Sequence, residues 1–248
     1  MYEFFANSLT QGFSDSSVMG KLLVLLQLGA SVVMYTYVFG KWWELRGLEL
    51  VSRVVRRDVM SSQHVLDYYM LRKSKGRSFS PLDNIYWSTC ERLERQMAPA
   101  ARAQLAQPQA APGAATGLSK HEIELVKSIG EQTLDGEEMR VEKGMGVIAT
   151  VVALAPMVGL LGTVWGVLDA FRNIGAPGAG AATIKNMAPD ISSALLTTVV
   201  GLLIAIPGIA CHNILSAKLR RLQADMEGFL DDLTGRIALE FQDSGSRS

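Results

Sequence analysis

The sequence predicts an all-α membrane protein in which three transmembrane helices are extended by long cytoplasmic helices. Three observations carry this reading. First, blocks at residues 22–40 and 144–168 contain no Asp, Glu, Lys or Arg, and a block at 191–217 has His212 as its one basic side chain. At about 1.5 Å per helical residue each block is long enough to cross roughly 30 Å of hydrocarbon, at modest tilt or with a few flanking residues. Second, the charged residues fall between and after these blocks, so the formal net charge of +0 conceals a segregated pattern. Third, the intervening segments repeat apolar residues at helical spacing and show no strand alternation.

The elements follow in order. Residues 1–20 form a short amino-terminal segment, expected on the periplasmic side. The first span, 21–43, opens on Lys21 and a Leu/Val run that could pass for a secretory leader. Its far end argues for a retained helix: Tyr35, Tyr37, Phe39, Trp42 and Trp43 make an interfacial aromatic belt, and no small-x-small cleavage site follows. The segment 44–143 carries most of the basic residues, among them Arg53, Arg56, Arg57, Arg72, Lys73, Lys75, Arg77, Arg92, Arg95 and Arg102. The loop 169–188 has Arg172 and Lys185 alone. Positive charge favours the cytoplasm, which places 44–143 and the tail 214–248 inside, and the amino terminus and the loop outside.

Within the cytoplasmic segment, Leu45, Leu48, Val51, Val55 and Val59 predict a helix over 42–70, and a second, shorter one covers 85–97. Residues 98–118, rich in Ala, Pro, Gln and Gly, read as a linker. Ser119 with Glu122 three residues on is a capping box, so a helix starts there. Ile123, Val126, Ile129, Val141 and Val147 carry its pattern into the second span, 144–168. One unbroken helix is therefore expected, weakened only by Gly130, Gly136, Gly144 and Gly146. Pro156, inside that span, should kink it or free a carbonyl. The loop is short and rich in Gly and Ala; the third span is 189–213, and the amphipathic stretch 218–242 extends it.

The residues offer little for catalysis. His64, His121 and His212 are scattered, and there is no nucleophile elbow, phosphate-binding loop or zinc-ligand spacing. No enzyme activity, cofactor, metal or nucleic-acid partner is expected. Cys90 and Cys211 read as packing residues. The basic clusters at Arg53–Arg57 and Arg72–Arg77 fit either solvated helix faces or contacts to anionic lipid or a vestibule.

The inner two spans are more specific. Ala155, Gly159, Gly162 and Gly166 form one small-residue stripe with Thr163 beside it; Ala194, Thr198, Gly201, Ala205, Gly208 and His212 form another. Such stripes serve close helix packing, and Thr163, Thr197, Thr198, Ser192 and Ser193 can bond to carbonyls one turn earlier. The alternative is that some hydroxyls face a lumen and relay or solvate a cation. Hydroxyls do not titrate near neutral pH, so such a wall needs an Asp or Glu from a partner helix.

The runs GLLGTVWGVLDAF and MAPDISSALLTTVVGLLIAIP, with a closing Asn213, closely resemble the MotA/TolQ/ExbB proton channel family. The layout is nearest to the TolQ and ExbB types. The resemblance implies a homo-oligomer, a pentamer, around a TolR- or ExbD-like single-span partner that supplies an intramembrane Asp. It further implies a bacterial inner-membrane stator that converts proton-motive force into work on the cell envelope, with a TolA- or TonB-like protein downstream. It puts Thr163 and Thr198 at the family's pathway threonines, with Thr197 and Ser193 as neighbouring hydroxyls. Pro156 and Pro207 take the helix-distorting positions, and Gly159, Gly162, Gly166 and Gly201 the packing positions. Two departures stand out: Asp190 and Ser193 occupy a family Gly and Glu, which removes an intramembrane carboxylate, and His212 replaces a Tyr. The competing readings are a non-conducting oligomeric scaffold and a sodium-driven member of the same family. A small-solute transporter is disfavoured, because three unequal spans show no inverted repeat.

Overall fold

The computed structural model describes residues 18–75, 80–97, 118–174 and 184–241. The amino-terminal segment to residue 17, the linker core 98–117, loop residues 175–183 and the tail beyond 241 lie outside the described residues. Among the described residues six helices follow one another: α1 Val18–Ser61, α2 Asp67–Lys75, α3 Pro81–Gln96, α4 Lys120–Glu142, α5 Met145–Ile174 and α6 Ile184–Phe241. Among the described residues three stretches are long and apolar enough to cross a membrane, within Val18–Ser61, Lys120–Arg172 and Asp190–Phe241. The described residues fall into two compact units, one drawn from Met1–Trp42 and Gly144–Ser216, the other from Trp43–Lys143 and Ala217–Ser248.

In the first unit α1 turns Leu23, Gln27, Met34, Val38 and Lys41 inward, residues spaced near the helical repeat. Leu22, Leu25, Leu26, Val32 and Val33 of α1 are exposed, as are Leu160, Leu161 and Val164 of α5 and Leu202, Leu203 and Ile206 of α6. Outward apolar surface on this scale is what lipid or neighbouring helices cover. Helix α5 runs on to Ile174 and α6 begins at Ile184, so both ends of the expected loop 169–188 are helical. Ala170, 1% exposed, continues the small-residue stripe by one more turn of α5.

The expected unbroken helix from residue 120 through the second span is interrupted. Lys143 leaves the helical region at φ −53, ψ 130, and Gly144 takes φ +92, a left-handed conformation that side chains with a Cβ rarely adopt. A Cβ at Gly144 would also lie 3.1 Å from the Tyr37 ring. Gly144 is therefore a break and not a weak helical position.

The second unit is a helical bundle. Leu219, Leu222, Met226, Phe229, Leu233, Ile237 and Phe241 line the buried face of α6 at steps of three and four. Leu45, Ser52, Val55 and Val59 of α1 are buried in the same repeat. Helix α3 begins four residues before the expected start, because Pro81 occupies its first turn, where a missing N–H costs nothing. Buried Ser80 precedes it, its hydroxyl 3.1 Å from that of Ser52. Helix α4 opens on the expected capping box between Ser119 and Glu122, and hydrogen bonds from Ser119 hold the Glu122 carboxyl below its ordinary value. Gly130 lets α4 approach closely: a Cβ there would sit 2.5 Å from Leu230 Cδ1 and 3.0 Å from Thr89 Oγ1.

The expected helix over 42–70 is also broken, between Ser61 and Asp67. The Arg236 guanidinium donates to the carbonyls of Val59 and Ser62, both at 2.9 Å, satisfying orphan acceptors at the end of α1. Glu240 accepts from the Val65 N–H at 3.0 Å and lies 3.0 Å from His64 Nδ1. Val65 and Leu66 are buried beneath this turn. Beyond it, Tyr86 donates its hydroxyl to the Val65 carbonyl and accepts from the Tyr69 N–H at 2.9 Å. Cys90 is fully buried, and burial raises its thiol above the ordinary value, so it stays protonated and packs as an inert side chain.

Candidate functional site

The small-residue stripes of α5 and α6 face each other. A Cβ on Gly159 would lie 2.9 Å from both the Thr197 carbonyl oxygen and Thr198 Cα. A Cβ on Gly162 would collide with the Thr197 side chain, and one on Gly166 would come within 2.5 Å of the Ala194 methyl. From the other side, a Cβ on Gly201 would lie 2.6 Å from the Ala155 carbonyl oxygen. Gly159 and Gly201 meet backbone and Gly162 and Gly166 meet side chains, approaches that only small residues allow, and in lipid such packing replaces the missing hydrophobic drive. The third helix joins at Gly208, whose Cβ would meet Val152 of α5 at 2.8 Å and Met34 Sδ of α1 at 3.1 Å.

The hydroxyls singled out in the sequence fall into different settings. Thr197 is fully buried between α5 and α6; its Oγ1 lies 3.0 Å from the Gly159 carbonyl and 2.7 Å from that of Ala194, so its proton is engaged in packing. Thr163 is partly exposed beside Gly162 and donates to the Leu160 carbonyl at 2.7 Å. Ser193 is buried and donates to the Asp190 carbonyl at 3.0 Å. Thr198 differs: its Oγ1 is buried with no hydrogen-bond partner among the described residues. Pro156 and Pro207 both lie within continuous helices, Pro156 half-buried and Pro207 exposed.

One polar residue at this junction escapes a reading based on small residues and hydroxyls. Gln27, on the inward face of α1, is 2% exposed and donates from Nε2 to the Ala155 carbonyl at 3.1 Å. Its Nε2 lies 3.0 Å from where a Gly201 Cβ would sit and 3.4 Å from a Gly159 Cβ, so both glycines make room for the amide. The available signal was positional: Gln27 is an amide inside an uncharged block, in helical register with buried Leu23 and Met34.

The arrangement is a three-helix contact with hydroxyl and amide groups and no Asp, Glu, Lys or Arg between residues 144 and 168 or 191 and 217. Among the described residues no three His, Cys, Asp or Glu side chains gather as a metal site. The sequence pattern of the MotA/TolQ/ExbB proton channel family matches residues 93–228, more than half of the chain and all of this hairpin. The chain belongs to the MotA/TolQ/ExbB proton channel family. It is 39% identical over 93 residues to the Tol-Pal system protein TolQ of Haemophilus influenzae, covering 38% of this chain and 40% of that protein. It is 38% identical over 117 residues to the biopolymer transport protein ExbB of Xanthomonas campestris pv. campestris, 47% of this chain and 46% of the relative. At these identities the chain spans less than half the length of either relative. The Tol-Pal system protein TolQ of Pseudomonas aeruginosa is 26% identical over 219 residues, 88% of this chain and 87% of that one. With three long apolar helices among the described residues, this family membership makes the chain a bacterial inner-membrane protein of the TolQ/ExbB kind.

Proposed function

We propose that this chain is the channel subunit of a proton-driven stator, working with a TolR/ExbD-like single-span partner in Tol-Pal or TonB-type energy transduction. The observation that supports the reading best is the membrane hairpin itself. Its helices bring Thr163, Thr197, Thr198 and Ser193 into a stretch without any acid or strong base, inside the part of the chain that matches the family. A wall of this chemistry solvates a moving charge without trapping it, and a carboxylate contributed by the partner supplies the titrating group. Ionised, that carboxylate favours the hydroxyl side of the path; protonated, it tolerates apolar surface. Each proton crossing supplies about 2.3 kcal/mol per 100 mV of potential, enough to bias steps between near-equivalent positions.

In this reading several copies, a pentamer, surround the partner, which explains why so much of the first unit's apolar surface faces outward. The amino terminus is periplasmic and the carboxyl terminus cytoplasmic, following the basic residues. Thr163 and Thr198 line the path; Ser193 adds a hydroxyl one turn before Thr197; Pro156, Gly159, Gly162, Gly166, Gly201 and Pro207 shape and pack the helices. A TolA- or TonB-like protein carries the work outward. The test is proton uptake into liposomes under an imposed potential, comparing the chain with its partner against the chain alone. Uptake should need both proteins and should be abolished by Thr163→Val and by Thr198→Val while the complex still assembles. Uptake that follows sodium would move the chain to a sodium-driven branch, and no uptake in an assembled complex would leave a scaffold.

A further inference from the structure

We propose that Gln27 is a positioning residue of the ion path, its amide oxygen and the Thr198 hydroxyl together holding a water molecule where α1, α5 and α6 meet. This deepens the channel reading and rests on it. The Ala155 carbonyl can only accept, so the amide must turn its Nε2 toward it, at 3.1 Å, and this fixes which way Oε1 points. Gln27 Oε1 and Thr198 Oγ1 are both buried with no partner among the described residues. The Thr198 backbone and the Gln27 amide flank one glycine: the Cβ position of Gly159 lies 2.9 Å from Thr198 Cα and 3.4 Å from Gln27 Nε2. Two buried oxygens without a protein partner, on residues that flank the same glycine, are costly unless a small donor reaches them, and water is the ligand of that size and chemistry.

Neither side chain titrates near neutral pH, so the site carries a proton without storing it. An arriving proton binds the water's free lone pair, the O–H directed at Thr198 passes its proton to that hydroxyl oxygen, and Thr198 releases its own hydroxyl proton to the next water of the path, so Gln27 and Thr198 end each passage unchanged. The amide's part is to orient this water by accepting one of its O–H bonds. A purely structural Gln27 would instead act as interhelical glue through its bond to Ala155.

The test uses the full chain with its single-span partner in liposomes, with flux counted per assembled complex. Gln27→Leu, which keeps the size but removes the amide, should lower proton uptake by about tenfold or more, the worth of one well-made hydrogen bond, with assembly retained. Gln27→Glu should conduct in acid, where the protonated carboxyl still donates to Ala155 and still accepts. It should fail as pH rises and the acid ionises, an alkaline limb added to the one that the partner's carboxylate sets in the wild type. Proton-detected solid-state NMR of the bilayer complex should show a water contact at the Gln27 side-chain amide that Thr198→Val weakens. Wild-type flux from Gln27→Leu, or a loss of assembly with unchanged flux per complex, overturns the proposal, as does a dry Gln27 amide. If the wild-type complex itself does not conduct, the channel reading fails and takes this inference with it.

Discussion

Thr197 on α6 reaches across the helix boundary to Gly159 on α5, placing its hydroxyl 3.0 Å from a carbonyl 38 residues earlier in the chain. The next residue, Thr198, has a buried hydroxyl without a partner among the described residues. Adjacent threonines therefore make opposite demands. Thr197→Val removes an interhelical bond worth about 0.6 kcal/mol, up to about 1.7, in a membrane setting, and should lower the thermal stability of the detergent-solubilised protein. Thr198→Val removes a hydroxyl that bonds no protein group, so it costs less stability than Thr197→Val. A melt in which Thr198→Val is more stable than Thr197→Val, in a complex that no longer transports protons, would separate path from packing. Equal destabilisation by both variants would contradict this assignment.

Gly159→Ala and Gly201→Ala should each weaken the α5–α6 contact by about 1–3 kcal/mol, because the added methyl meets backbone atoms that cannot rotate away. Gly29→Ala is the control, with nothing within 4 Å of its Cβ position. Thermal melts of the three variants in the same detergent check the contrast, and similar losses at all three sites would refute it.

Arg236→Met should loosen the turn after α1, since two carbonyls lose a charged donor. The expected cost is about 2 kcal/mol. Arg236→Lys should recover only part of it, because an ammonium cannot match the guanidinium fork. Hydrogen exchange at residues 59–66 is the readout; unchanged protection there in Arg236→Met would show that the cap is dispensable.

Glu138 gives a pH-dependent prediction. Burial, then the neighbouring charges of Glu227, Asp135 and Glu142, raise its carboxyl above the ordinary value. The folded state thus binds this proton more tightly than the unfolded chain does. The penalty is absent below the unfolded value and grows as pH rises through the folded one. Glu138→Gln should therefore stabilise the protein at neutral pH, with the gain vanishing in acid. Paired melts across the acidic range test this, and a gain that grows toward low pH would reverse the sign of the argument.

Much of this architecture is written in local pattern. The three apolar blocks and the capping box at Ser119 need only period and residue type, and both appear as expected, while the glycine stripes need only period and residue size. The two helix breaks do not follow from period. That at 62–66 depends on Arg236 and Glu240, more than 170 residues away in sequence, and that at Gly144 depends on a backbone conformation that a helical glycine does not announce. Thr197 and Thr198 look equivalent in the sequence, and only the register of α6 on α5 separates the bonded hydroxyl from the unpaired one. Gln27 was hidden because a single amide in an apolar block becomes informative only when the helix face that carries it is known.

The outward rows of Leu, Val and aromatic residues on α1 extend from Leu22 to Phe39. At about 1.5 Å per residue they make a greasy band of fixed height, roughly 26 Å along the helix. Acyl chains much longer or shorter than that band must stretch, compress or tilt the helix to meet it. The lipid around this protein thereby becomes a mechanical variable, able to strain the contact at Gln27 from outside without touching a single polar group.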